Sequence, residues 1–247
     1  MCSDAIKRFA PAAVINAAAY TAVDKAESEE AAAEVINAHA VKAMAETCAE
    51  IGIPLVHIST DYVFEGSGLD AFATSDRPSP QNVYGRTKLL GENFVKNSGC
   101  VFAIVRTSWV FSAHGNNFVK TMLRLADSRA ELSVVNDQVG GPTSARAIAD
   151  TCLEIAKQLR ASPSKSGVYH FTGAPNVSWA EFAQHIFKMA SLNVNVTGIP
   201  TDEYPTPAVR PLNSRLDCSD THRVFGVSRP DWREELSSVL TQLGALA

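Results

Sequence analysis

Short apolar runs alternate with longer stretches of helical spacing along most of this chain, and that alternation constrains its fold most. Residues 12–15, 54–58, 101–106 and 132–135 read as buried strands. Between the first two, residues 27–51 carry Ala32, Val35, Ile36, Ala40, Met44 and Cys48 at steps of three and four, with Gly52 as the stop. Helices are likewise predicted over 82–96, 117–129 and 144–160. This order predicts an α/β fold with a doubly wound parallel sheet. Further on, 167–171 reads as a strand and Ser178-Trp179-Ala180-Glu181 as a capping box opening a helix to Met189. Residues 199–217 are proline-rich and irregular, and 230–243 form a last helix. The expected organisation is a sheet domain over 1–160 and a smaller substrate-binding lobe over 161–247, with some elements returning to the main sheet.

With 46% hydrophobic and 19% charged residues in 247, the chain has the composition of a globular protein with a substantial core. Its net charge of −4 and lack of a basic run argue against nucleic acid as a partner. Five cysteines and six histidines are scattered singly, which fits reduced thiols and no metal centre. No apolar stretch approaches the ~20 residues needed to span a bilayer, and residues 1–10 lack the apolar core of a signal peptide. No membrane partner and a cytoplasmic location are therefore expected.

Three elements carry chemistry. Tyr84 and Lys88 are four apart on a predicted helix and so share one face. An ammonium near a phenol favours the phenolate, which makes a proton donor and acceptor usable near neutral pH. Ser59-Thr60-Asp61 follows a buried strand, and the Thr60 hydroxyl could bond the same substrate oxygen. The third is the loop Asn16-Ala17-Ala18-Ala19-Tyr20 at the end of the opening strand. The Gly66-Ser67-Gly68 stretch matches a dinucleotide fingerprint in letters, but no strand precedes it and no helix follows; it reads as a turn. Trp109 either walls a sugar or base pocket or fills core. Arg210 and Asn213 either bind a phosphate and a sugar hydroxyl or are solvated loop residues.

The segments NAAAYTAVDKAESE, STDYVF, NVYGRTKLLGE, RTSWVF, GNNFVKTMLRLA, NDQVGGPT and RPLNSRLD occur in this order. Together they resemble the dTDP-4-dehydrorhamnose reductase family of extended short-chain dehydrogenase/reductases, from about residue 9 to 232. The resemblance implies a Rossmann-like domain and reduction of the 4-keto group of dTDP-4-dehydro-L-rhamnose to dTDP-L-rhamnose by NADPH or NADH. It implies that Tyr84 protonates the developing alkoxide, that Lys88 depresses the Tyr84 pKa and holds the nicotinamide ribose, and that Thr60 and Asp61 contact the sugar. It also implies that Trp109 lines the sugar pocket, that Arg210 and Asn213 bind substrate, and that Ala19, Tyr20, Thr21 and Ile58 lie along the cofactor. A homodimer is left open. A non-catalytic scaffold, like the regulatory beta subunit of methionine adenosyltransferase, is the alternative.

Members of that family open with a strand, a glycine loop, a helix and a second strand; here MCSDAIKRFAP precedes the first strand. The expectation is an N-terminally truncated sheet in which the opening strand is the third of the order 3-2-1-4-5-6, cut off from its partners. Such a chain is expected to bind NADPH or NADH weakly or not at all, and micromolar affinity in a calorimetric titration would overturn that.

Overall fold

The computed structural model describes residues 2–246. Its principal helices are α1 (Cys2–Phe9), α2 (Ala40–Ile51), α3 (Val83–Asn97), α4 (Phe118–Ala126), α5 (Ala145–Ala161), α6 (Trp179–Met189) and α7 (Trp232–Gln242). The strands that frame the site are β1 (Val14–Asn16), β2 (Leu55–Thr60), β3 (Phe102–Thr107), β4 (Glu131–Val135), β5 (Gly167–His170) and β6 (Asn195–Ile199).

The main sheet runs β1-β2-β3-β5, and every pairing in it is parallel. Successive side chains of a strand face opposite sides, so each apolar run serves two layers. Leu55 and Ile104 pack with Val41, Ala45 and Cys48 of α2 and Val95 of α3. Val56, Ala103 and Val105 pack with Ile148, Cys152, Ile155 and Leu159 of α5 on the other face. Helices on both faces make this the doubly wound sheet that the alternating pattern predicts.

The place of the opening strand differs from expectation. β1 is not cut off: it pairs directly with β2, Val14 opposite Leu55 and Asn16 opposite His57. A third strand of the order 3-2-1-4-5-6 cannot lie beside its successor, so β1 holds another position. A helical crossover returns the chain to the neighbouring parallel position, so β1 and its successor lie side by side. The outer edge of β1 leaves Ile15 38% exposed.

α2 stops where the Gly52 backbone turns left-handed at φ 71°. It continues from a helical segment, Glu30–Glu34, through a wide π turn at Val35–His39. The turn brings its backbone against α3: a Cβ on Gly91 would stand 2.2 Å from the Asn37 carbonyl oxygen. Gly91→Ala is expected to lower stability by about 1–3 kcal/mol through overpacking, read as a lower urea midpoint.

The second layer of the molecule is a lobe whose core crosses residue 160. Phe111, Val119, Met122, Leu132 and Val134 pack with Phe182, Ile186, Trp232, Leu236 and Leu240. β4 pairs in parallel with β6, a strand that the sequence reading does not predict. β5 lies in the main sheet beside β3. No helix among the described residues is long and apolar enough to cross a membrane.

Candidate active site

β2 is mostly buried and ends at Thr60, which caps the short turn Asp61–Val63. The Thr60 hydroxyl accepts from the Tyr62 N–H at 3.2 Å and donates to Asp61 Oδ1 at 3.1 Å. Asn82 caps α3: its oxygen accepts from the Gly85 N–H at 2.8 Å, and its amide donates to the Val209 carbonyl at 2.9 Å. The Glu27 carboxylate accepts from the Val83 N–H at 2.8 Å, adding a negative charge at the positive end of the helix. Helix and turn then meet closely, since a Cβ on Gly85 would lie 2.2 Å from the Tyr62 carbonyl oxygen. That contact sets the first turn of α3, with Tyr84, against the end of β2.

A cavity of about 620 Å³ opens at this junction. Ala19, Thr21, Ile58, Thr60, Asp61, Tyr84, Lys88 and Trp109 all line it. Trp109 sits at φ 51°, an unusual conformation for a bulky residue, and stacks on Trp179 with ring centroids 3.5 Å apart. The Tyr84 ring meets Tyr62 edge to face at 5.5 Å. Beyond Tyr62 lies a second cavity of about 850 Å³, walled in part by Arg129, Gln138, Trp179 and Arg210.

The charges differ from the sequence expectation in one respect. Burial pushes the Tyr84 phenol up to about 12, with the Asp61 carboxylate adding to the rise and a Thr60 hydrogen bond opposing it. Burial brings Lys88 down to about 8, against the pull of Glu92. Burial therefore dominates, and Tyr84 lies above the ordinary phenol value rather than below it. The Lys88 Nζ donates to the Ile58 carbonyl at 2.7 Å and contacts His57 Nε2 at 3.4 Å. Burial also raises Asp61 to about 6. At neutral pH the cleft thus holds a protonated phenol beside a buried hydroxyl, with a cation one helical turn away.

Three of the singled-out residues stand outside this cavity. Tyr20 donates its hydroxyl proton to Glu29 at 2.6 Å, and its backbone is clamped by Asn37. Arg210 pairs with Asp24 at 2.6 Å on the wall of the second cavity. Asn213 is spent on structure: its amide donates to the Ser67 and Asp70 carbonyls, holding the Gly66–Gly68 turn. Both glycines there have positive φ, 73° and 80°, as a turn requires.

Buried polar residues behind the cleft escape a reading of motifs. Asn37 donates to the Tyr20 carbonyl at 3.2 Å and to Thr87 Oγ1 at 3.1 Å, tying the loop lip to α3. Its only signal is a polar residue in the middle of an apolar helix. His57, likewise, is a lone polar residue inside an apolar strand.

The family model described as "RmlD substrate binding domain" matches residues 1–245. The dTDP-4-dehydrorhamnose reductase of Sinorhizobium fredii is 45% identical over 238 residues, 94% of this chain and 80% of the relative. The Bacillus anthracis dTDP-4-dehydrorhamnose reductase, solved in complex with NADP, superposes with a TM-score of 0.89 at 39% identity, covering 98% of this chain and 84% of that one. The Clostridium acetobutylicum enzyme gives the same TM-score, 0.89, at 38% identity, over 98% of this chain and 85% of its own. The chain belongs to the dTDP-4-dehydrorhamnose reductase family.

Proposed function

We propose that this cleft reduces the 4-keto group of dTDP-4-dehydro-L-rhamnose to give dTDP-L-rhamnose, with NADPH or NADH as reductant. The observation that carries the reading is the Tyr84 phenol, protonated at neutral pH, set between the Thr60 end of β2 and the Lys88 cation. The names of the relatives and the NADP bound to the Bacillus anthracis enzyme support the substrate and the cofactor.

The residues present fit the nicotinamide end of such a cofactor. Ile15, Ala17 and Ala19 give the cavity an apolar wall of mostly small side chains, and Lys88 offers a donor to ribose hydroxyls. When bound, the cofactor supplies hydride to the carbonyl carbon. Tyr84 hydrogen-bonds the carbonyl oxygen and polarises it, joined by Thr60 when its hydroxyl turns from Asp61 to the substrate. As charge develops on that oxygen, the Tyr84 proton passes to it, because an alkoxide is a stronger base than a phenolate. Lys88 then faces the phenolate it helps to stabilise. Trp109 and Trp179 border the sugar, and the second cavity takes the nucleotide, with Arg129 and Arg210 suited to its diphosphate.

Thr60→Val is expected to lower kcat by about 10- to 100-fold with little change in cofactor affinity, checked by steady-state kinetics and calorimetry. Turnover is expected to fall as pH rises through about 8, where Lys88 loses its proton, while Tyr84 keeps its own up to about 12. A pH–rate profile flat from 7 to 10 would contradict that assignment.

A further inference from the structure

We propose that Asn16 and His57 form a positioning pair behind the catalytic lysine, in which the Asn16 amide locks His57 into the neutral tautomer that carries its proton on Nε2, facing Lys88 Nζ. For turnover this deepens the reductase reading; the tautomer itself is independent of it.

The Ala18 backbone N–H fixes the sense of the pair. It lies 3.1 Å from one side-chain atom of Asn16, and a backbone N–H can only donate, so that atom is the amide oxygen. The other atom, the amide nitrogen, is then the one 3.0 Å from His57 Nδ1. An amide nitrogen donates, so Nδ1 must accept and carries no proton. The proton of a neutral ring therefore resides on Nε2, which stands 3.4 Å from Lys88 Nζ. The contact is built into the sheet, since Asn16 and His57 are cross-strand partners in the β1–β2 register. Asn16 and His57 are both buried, at 4% and 0% exposure.

A ring N–H aimed at an amine favours the amine over the ammonium. Around Lys88, α3 contributes Tyr84 one turn before and Glu92 one turn after, and Asp61 lines the same cavity. Glu92 is already engaged by Arg106 of β3 and Lys96 of α3. From α2, the Cys48 thiol in this layer is held protonated by burial, at about 12. Beside the Ile58 carbonyl, which Nζ meets at 2.7 Å, His57 is the titratable group in contact with Nζ, and Asn16 decides what it presents. The pair thereby adds to burial in lowering the pH at which Lys88 gives up its charge beside Tyr84.

The test is long-range ¹H–¹⁵N NMR of the ¹⁵N-histidine-labelled chain, whose six histidines make assignment tractable, with His57→Gln identifying the His57 signal. The expected result is a neutral ring protonated on Nε2 throughout pH 6–8. A ring protonated on Nδ1, or a doubly protonated ring, would overturn the proposal whether or not the protein turns over substrate. Asn16→Asp keeps the acceptor for the Ala18 N–H but demands a proton on Nδ1. In that variant the tautomer is expected to reverse, and the Lys88 ¹⁵Nζ titration midpoint to rise by about one pH unit. An unchanged tautomer and midpoint in a folded Asn16→Asp chain would count against it; if that variant does not fold, the wild-type tautomer decides.

Discussion

Tyr84→Phe is expected to lower ketone reduction by about 10²–10⁴-fold while leaving cofactor affinity within about twofold. The substitution removes one hydroxyl and keeps the ring, so the edge-to-face contact with Tyr62 survives. What disappears is the proton that the alkoxide must take up. Thr60 cannot replace it, because an aliphatic hydroxyl is a far weaker acid than a phenol and does not give up its proton to the alkoxide. Water is a poor substitute in a cleft whose phenol is pushed up to about 12 by burial. The loss should therefore fall on kcat, where an interaction made in the transition state is read.

Glu92→Gln is expected to destabilise the fold by about 3–5 kcal/mol, through an uncompensated buried guanidinium. Glu92 and Arg106 are 0% and 1% exposed and joined by two hydrogen bonds, at 2.9 and 2.7 Å. The Ser59 hydroxyl also donates to the carboxylate at 2.6 Å, and Ser59 is the β2 partner of Arg106 in register. Burial alone would raise Glu92, but the Arg106 hydrogen bonds and charge, with Ser59 and Lys96, hold it below the ordinary carboxylate value. A depressed folded value means the stabilisation is complete above about pH 4.3 and is lost as pH falls through the folded value. Urea midpoints at pH 7 and below pH 4 check both statements. Replacing both partners, Glu92→Leu with Arg106→Met, should recover most of the loss, because no buried charge is then left alone.

Much of the cleft is legible in the sequence because local spacing determines it. Tyr84 and Lys88 share a helix face at any tertiary arrangement, and Thr60 ends a strand whose apolar run is unmistakable. Gly52 marks the end of α2 for a local reason, its left-handed backbone. Features that depend on register are not legible. Nothing near Asn16 announces that it lies opposite His57 across 41 residues. Nothing in RPLNSRLD says that Asn213 ties down the Gly66–Gly68 turn. The π turn at Asn37 adds one residue to a helix whose apolar spacing still reads as regular. β6 escapes notice because its residues are partly or fully exposed, so it lacks a buried apolar run. The direction of the Tyr84 shift also needs geometry: burial outweighs a lysine whose ammonium is anchored on the Ile58 carbonyl.

The most direct measurement follows NADPH absorbance and dTDP-L-rhamnose formation from dTDP-4-dehydro-L-rhamnose. It uses the full-length protein, as wild type and as Tyr84→Phe. The expected result is one NADPH oxidised per product formed by the wild type, and a Tyr84→Phe variant that still binds NADPH but forms product at least about 100-fold more slowly. A wild type that oxidises no NADPH, or a Tyr84→Phe variant that matches it in rate, would contradict the assignment of this cleft.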